Sequence, residues 1–196
     1  LLMNSNYEHY IDAYFVEIKH IIDRIDRENI SKFTNILENI KLKSGRLFIL
    51  GVGASAANAS HAVNDFRKIC GIESYTPLDN SAELTARIND EGWDSSLVEW
   101  LKVSNLNKND ASLILSVGGG SETTSQNLVK AMEYTRYCGA KILSIVSRDG
   151  GVAKQISDCC VHIPVISTKR VTPHAEEWQG IIWHLVVNCL VNKGEL

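Results

Sequence analysis

Residues 47–55 read LFILGVGAS. Four consecutive apolar side chains followed by glycine describe a short strand buried on both faces, and the strand runs into a loop almost free of side chains. Such a loop lets a ligand approach backbone N–H groups, and the N-terminus of the helix that follows adds a partial positive charge. A phosphate is the anion that suits this arrangement best. The stretch is not a dinucleotide fingerprint, since the third glycine of G-x-G-x-x-G would fall at Ala56, and the chain has no G-K-[ST] motif for a nucleoside triphosphate. No nucleotide cofactor is expected.

Working outward, the same switch from strand to helix recurs. Strands are expected over 46–51, 74–78, 111–117, 141–147 and 160–165, with helices over 54–71, 81–88, 94–103, 123–138, 150–157 and 174–192 between and after them. Strands apolar on both faces that alternate with helices predict an α/β fold with a five-stranded parallel sheet between two helical layers. Two helices precede it. In the first, Ile11, Tyr14, Phe15, Ile18, Ile21, Ile22 and Ile25 recur at three- and four-residue steps. The second spans roughly 30–45, with Asn29 or Ser31 as cap and Gly45 as stop. The reading is one domain over 1–196: N-terminal helices in 1–44, suited to contacts between subunits, and the sandwich in 45–196.

Composition narrows the function. A formal net charge of −3 argues against a direct nucleic-acid ligand, whose binders usually carry clustered positive charge. No stretch is long and apolar enough to span a membrane, and the first residues lack a basic region followed by an apolar one. Five irregularly spaced cysteines suit reduced thiols, so a cytoplasmic protein is expected.

In a parallel sheet the ligand site lies beyond the carboxyl ends of the strands, which directs attention to the loops at 51–55, 78–81, 117–125 and 147–150. The third strand ends in SVGGGSETTS, a second glycine- and hydroxyl-rich loop. Two anion cradles at equivalent strand ends strengthen the phosphate reading over the plainer one, in which glycine only ends strands.

The segments LFILGVGASAANASHAVNDF, LDNSAELTARINDEGWDSSL, LSVGGGSETTSQNLVKAM, VSRDGGVAKQISD and HAEEWQGIIWH together resemble the sugar isomerase domain family, and most of all its phosphoheptose isomerase branch. The resemblance implies a flavodoxin-like three-layer αβα sandwich, usually a homotetramer, that interconverts sedoheptulose 7-phosphate and D-glycero-D-manno-heptose 7-phosphate through an enediol. A dimer is the other assembly considered. The alternative function is a non-catalytic phosphosugar-binding or adaptor protein of the same fold.

In that branch, the helix after the first glycine loop carries a histidine and, four residues on, a glutamate. The last helix carries a glutamine and, eight residues on, a histidine; these residues can hold zinc, and the glutamate and second histidine act as base and acid. Here the matching positions are His61, Asp65, Gln179 and Val187. His61 and Asp65 share a helix face, because four residues advance about 400°. Asp65 is the expected base, and His61, Asp65 and Gln179 the expected zinc ligands. With valine at 187 the acid is open: His184 lies one turn earlier and about 60° around the helix, His174 begins the helix, and Glu176 is a further proton relay. His184, flanked by Trp183 and Leu185, equally fits a packing role. The resemblance places the phosphosugar on Gly53, Ser55, Ser116, Gly118, Gly119, Ser121 and Ser125, with Asp79, Asn80 and Glu176 toward the sugar. Val117 and Gly118 replace two hydroxyl-bearing positions.

Overall fold

The computed structural model describes residues 4–192. Two helices, α1 (Asn4–Arg24) and α2 (Arg27–Leu42), lead into strand β1 (Leu47–Gly51) and helix α3 (Ala54–Lys68). Then come β2 (Ser74–Tyr75), a 3₁₀ turn (Pro77–Asp79), α4 (Ser81–Glu91) and α5 (Ser96–Val103). The chain finishes with β3 (Ala111–Leu115), α6 (Gln126–Tyr137), β4 (Lys141–Val146), α7 (Gly151–Ile156), β5 (Cys159–His162) and α8 (Val171–Val191).

The five strands form one parallel sheet in the order β2-β1-β3-β4-β5. From β1 the chain steps to one side for β2 and then crosses to the other side for β3. The crevice between the carboxyl ends of β1 and β3 is therefore the switch point at which such sheets bind ligands. Every side chain of β1 and β3 is buried. Leu47, Ile49, Leu113, Leu143 and Ile145 face α2, α3 and α8, while Phe48, Leu50, Ile114 and Val146 face α5, α6 and α7. Each such side chain contributes about 1.5–3 kcal/mol by leaving water.

Several boundaries differ from the expected ones for local reasons. The second strand stops at Tyr75 instead of residue 78, because Pro77 has no N–H to offer a ladder and opens the 3₁₀ turn. The last helix starts at Val171, three residues early; Pro173 falls within the first turn, where a missing N–H costs nothing. The sixth helix starts at Gln126 rather than 123, since Ser125 is left-handed (φ 54°). The cap of α2 is Asp26, whose carboxylate accepts the Asn29 N–H at 3.0 Å, not Asn29 or Ser31. Gly45 does end that helix: its N–H reaches the Ile40 carbonyl at 2.9 Å, and a Cβ there would sit 2.0 Å from the Asn109 carbonyl oxygen.

The apolar stripe of α1 is only half used. Ile21 is fully buried and Tyr14, Ile18 and Ile25 partly so, but Ile11, Phe15 and Ile22 stand 51%, 59% and 44% exposed. A polar group also docks this helix: Glu17 on α1 pairs with Arg170, and with His174 Nε2 at 2.8 Å, both at the start of α8.

Candidate active site

Beyond the carboxyl ends of β1 and β3 lies a cavity of about 600 Å³, lined by Val52, Ser55, Ser116, Gly118, Gly120, Ser121 and their neighbours. Its floor is built by one loop packed on another. A Cβ on Gly119 would lie 2.0 Å from the Gly150 carbonyl oxygen, so only glycine admits the β4–α7 loop at this distance. The N–H groups of Val152 and Ala153 donate to the Gly120 and Gly119 carbonyls at 3.0 and 2.9 Å. The first turn of α7 is thus spent on holding the glycine loop.

The serines are wired in a common sense. Ser55 Oγ accepts from Gln179 Nε2 at 3.0 Å, Ser116 Oγ from the Gly119 N–H at 3.0 Å, and Ser121 Oγ from the N–H groups of Thr123 and Thr124 at 3.3 and 3.1 Å. A hydroxyl has two lone pairs and one proton. Each of the three accepts from the protein and has its proton left to donate, which is the polarity an anion requires. Ser125, beside them, enters the cavity wall from its left-handed conformation.

Ser55 sits in the first turn of α3, and His61 and Asp65 follow on the same helix. Six residues advance about 9 Å along the helix axis, so His61 lies between one and two turns beyond Ser55 on α3. His61 Nε2 lies 3.8 Å from Asp65 Oδ2, and His184 Nε2 of α8 approaches the same oxygen to 3.7 Å. The three ligand-type atoms fall within 4.8 Å of one another. Asp65 is buried and its other oxygen accepts from Asn64 Nδ2 at 2.8 Å, leaving Oδ2 to the two imidazoles. Trp183 backs the pair: its ring stacks on His184 at 3.5 Å and meets His61 edge-on at 4.7 Å.

The remaining expected residues separate into two groups. Gln179, fully buried, donates to Ser55 and accepts from Asn58 Nδ2 at 3.0 Å, so it braces the phosphate-side serine and both ends of its amide are engaged. Asn58, which sequence reading passed over, also donates to the Glu176 carbonyl at 3.0 Å and so ties α3 to the first turns of α8. Val187 is buried in the core with Cys70. His174 belongs to the Glu17 network, away from the glycine loops, and Asn80 spends its side-chain oxygen capping α4 through the Glu83 N–H at 3.2 Å. Asp79 accepts from Ser60 Oγ at 2.6 Å, one turn of α3 before Asn64. Arg148, also missed, lines the cavity; an exposed arginine in a turn carries no sequence pattern that would single it out.

No family model matches the chain. It is 30% identical over 167 residues to the phosphoheptose isomerase of Trichlorobacter lovleyi, covering 81% of this chain and 78% of that one. It is 29% identical over 153 residues to the phosphoheptose isomerase of Helicobacter pylori, 74% of each chain. Among solved structures, the phosphoheptose isomerase GmhA from Neisseria gonorrhoeae superposes with a TM-score of 0.81 at 20% identity, over 94% of this chain and 98% of that one. The phosphoheptose isomerase from Francisella tularensis gives 0.83 at 15% identity, over 98% and 100%. The two structures share the fold, and the sequence relatives go further: the chain belongs to the phosphoheptose isomerase family.

Proposed function

We propose that the protein is a phosphosugar aldose–ketose isomerase that interconverts sedoheptulose 7-phosphate and D-glycero-D-manno-heptose 7-phosphate. The observation that carries this reading is that α3 links a hydroxyl-lined phosphate cradle, through Ser55, to a carboxylate, Asp65, flanked by two imidazoles. A heptose anchored by its C7 phosphate at Ser55, Ser116 and Ser121 would extend its C1–C2 end along α3 toward His61 and Asp65. Asp65 Oδ2 removes the proton from the carbon beside the carbonyl and returns it to the neighbouring carbon. His184 or His61 gives a proton to the carbonyl oxygen as the enediol forms and takes one from the neighbouring hydroxyl as the new carbonyl forms, with His184 in the role left by Val187. Gln179 serves by orienting Ser55.

His61, Asp65 and His184 also fit a zinc ion. Two nitrogens and an oxygen match a catalytic zinc set, and ligands about 2 Å from a tetrahedral ion stand about 3.4 Å apart; the two histidine–Asp65 distances, 3.8 and 3.7 Å, would need to close by a few tenths of an ångström. When bound, zinc would supply Lewis-acid stabilisation of the oxyanion. The Gln179 amide bonds Asn58 and Ser55, so its oxygen would join the ion only by sharing with Asn58.

The assembly is inferred to be a homo-oligomer, a tetramer or dimer. His61 and His184 have side chains 59% and 48% exposed, whereas enediol chemistry needs a dry site; Ile181 and Leu185 beside His184 are exposed apolar groups that a second copy would cover. Free thiols at all five cysteines support the cytoplasm as its location. Among the described residues no helix is long and apolar enough to cross a membrane.

The test is deuterium incorporation by NMR on sedoheptulose 7-phosphate in heavy water, with and without added zinc. Enzyme-dependent deuterium beside the carbonyl together with an aldose product is expected. A sugar that binds but exchanges no proton would replace the isomerase by a non-catalytic phosphosugar binder.

A further inference from the structure

The serines of the glycine-loop cavity can donate neutral hydrogen bonds, but they cannot balance the charge of a phosphate. Among the described residues lining that cavity Arg148 is the one cation. It sits in the loop between β4 and α7 with φ 51°, a left-handed conformation that few non-glycine residues adopt without a reason. Two contacts fix where it points. Its carbonyl oxygen lies 2.9 Å from Nε2 of His162 on β5, so the ring N–H holds the backbone in place. Its Cδ lies 3.7 Å from the point that a Cβ on Gly118 would occupy, so the side chain runs across the glycine loop. The ion pairs of the described residues leave Arg148 out. Asp149, the acid next to it, turns Oδ1 to the Gly151 N–H at 3.2 Å instead. A cation held in an unusual backbone conformation, aimed over an anion cradle and left without a carboxylate, is a group waiting for a ligand's charge.

We propose that Arg148 is the counter-ion of the substrate phosphate, binding it through the guanidinium, and that His162 is a positioning residue that sets Arg148 by holding its carbonyl. This deepens the phosphosugar reading and rests on it. A guanidinium offers two parallel N–H donors to a phosphate, which neutral hydroxyls do not replace.

The test uses the full chain and two ligands, inorganic phosphate by titration calorimetry and sedoheptulose 7-phosphate in the isomerase assay. Arg148→Gln keeps the Cβ and so leaves the backbone requirement unchanged. It should weaken phosphate binding and raise KM tenfold to a hundredfold with kcat within about threefold, as for a lost charge-assisted hydrogen bond. Arg148→Lys should recover part of that loss. His162→Ala should raise KM several-fold at unchanged kcat, and His162→Gln, which keeps an N–H, should restore it. Phosphate affinity within twofold of wild type in Arg148→Gln would overturn the proposal, as would a wild-type chain that binds no phosphate. If the wild type binds phosphate through Arg148 but does not isomerise the sugar, the counter-ion stands and the isomerase reading falls.

Discussion

At the scale of single residues, the catalytic case turns on Asp65. Its Oδ2 is near two histidine nitrogens and its Oδ1 is held by Asn64, so one oxygen is fixed and the other is presented. Asp65→Asn preserves the shape and removes the basic lone pair. Turnover should fall by about 10²–10⁴, the usual contribution of a positioned base, while binding of the phosphosugar by calorimetry stays within threefold. Turnover within a few-fold of wild type would remove Asp65 from the role of base. The His61–Asp65 spacing is legible in the sequence because helical geometry puts i and i+4 on one face. The approach of His184 is not, since its distance to Asp65 depends on how α8 crosses α3. Arg148 and Asn58 are invisible for a related reason: a turn arginine and a mid-helix asparagine acquire meaning only from partners far along the chain.

At the scale of elements, the joint between α1 and the start of α8 is the least expected feature. The sequence shows α1 as an apolar stripe, and a stripe does not reveal which of its residues are buried; here the buried Glu17 anchors the helix. Hydrogen bonding from Arg170 comes first among the causes that hold its carboxyl down at about 2, against a usual 4.5, with His174 adding to it and burial opposing it. Tyr14 on the same face is pushed up to about 12, first by burial and then by its bond to Glu177, so its hydroxyl keeps the proton it shares. A carboxyl whose pKa is lower in the folded state stabilises the fold above its unfolded value and loses that contribution as pH falls through the folded one. The joint should therefore contribute fully above about pH 4.5 and fade toward pH 2. Glu17→Gln should cost about 1.5–3 kcal/mol at pH 7, the range for hydrogen bonds to charged groups. Urea unfolding of wild type and variant at pH 7 and pH 3 checks this: the gap should narrow at the lower pH, and a constant gap would mean that the charge on Glu17 does not hold the helices together.

At the scale of the whole molecule, the sheet and its switch point follow from the alternation of apolar runs with helices, whereas the outer surface does not follow from any local pattern. Tyr7, Tyr10, Ile11, Phe15 and Ile22 are exposed along α1, and Ile181 and Leu185 along α8. Between them α1, α2 and α8 enclose a largely apolar cavity of about 510 Å³ lined by Ile22, Ile25, Ile30, Trp178, Ile182 and Leu190. Single exposed apolar residues are ordinary, whereas a run of them beside an apolar recess suits the proposed contact between subunits. His184 lies between Ile181 and Leu185 on the same helix, so covering that face would also shield the imidazole pair from water. Assembly and activity should then fail together. Ile11→Asp with Phe15→Asp places two charges on α1, remote in sequence from the histidines, at positions whose side chains are already half exposed and so add little to the stability of the subunit alone. Sedimentation should show the wild type as a dimer or tetramer and the double variant shifted toward monomer, with isomerase activity lost in proportion while the thermal midpoint of the subunit moves little. A wild-type monomer that turns over sedoheptulose 7-phosphate would show that each chain closes its own site, and the exposed faces of α1 and α8 would then need a different occupant.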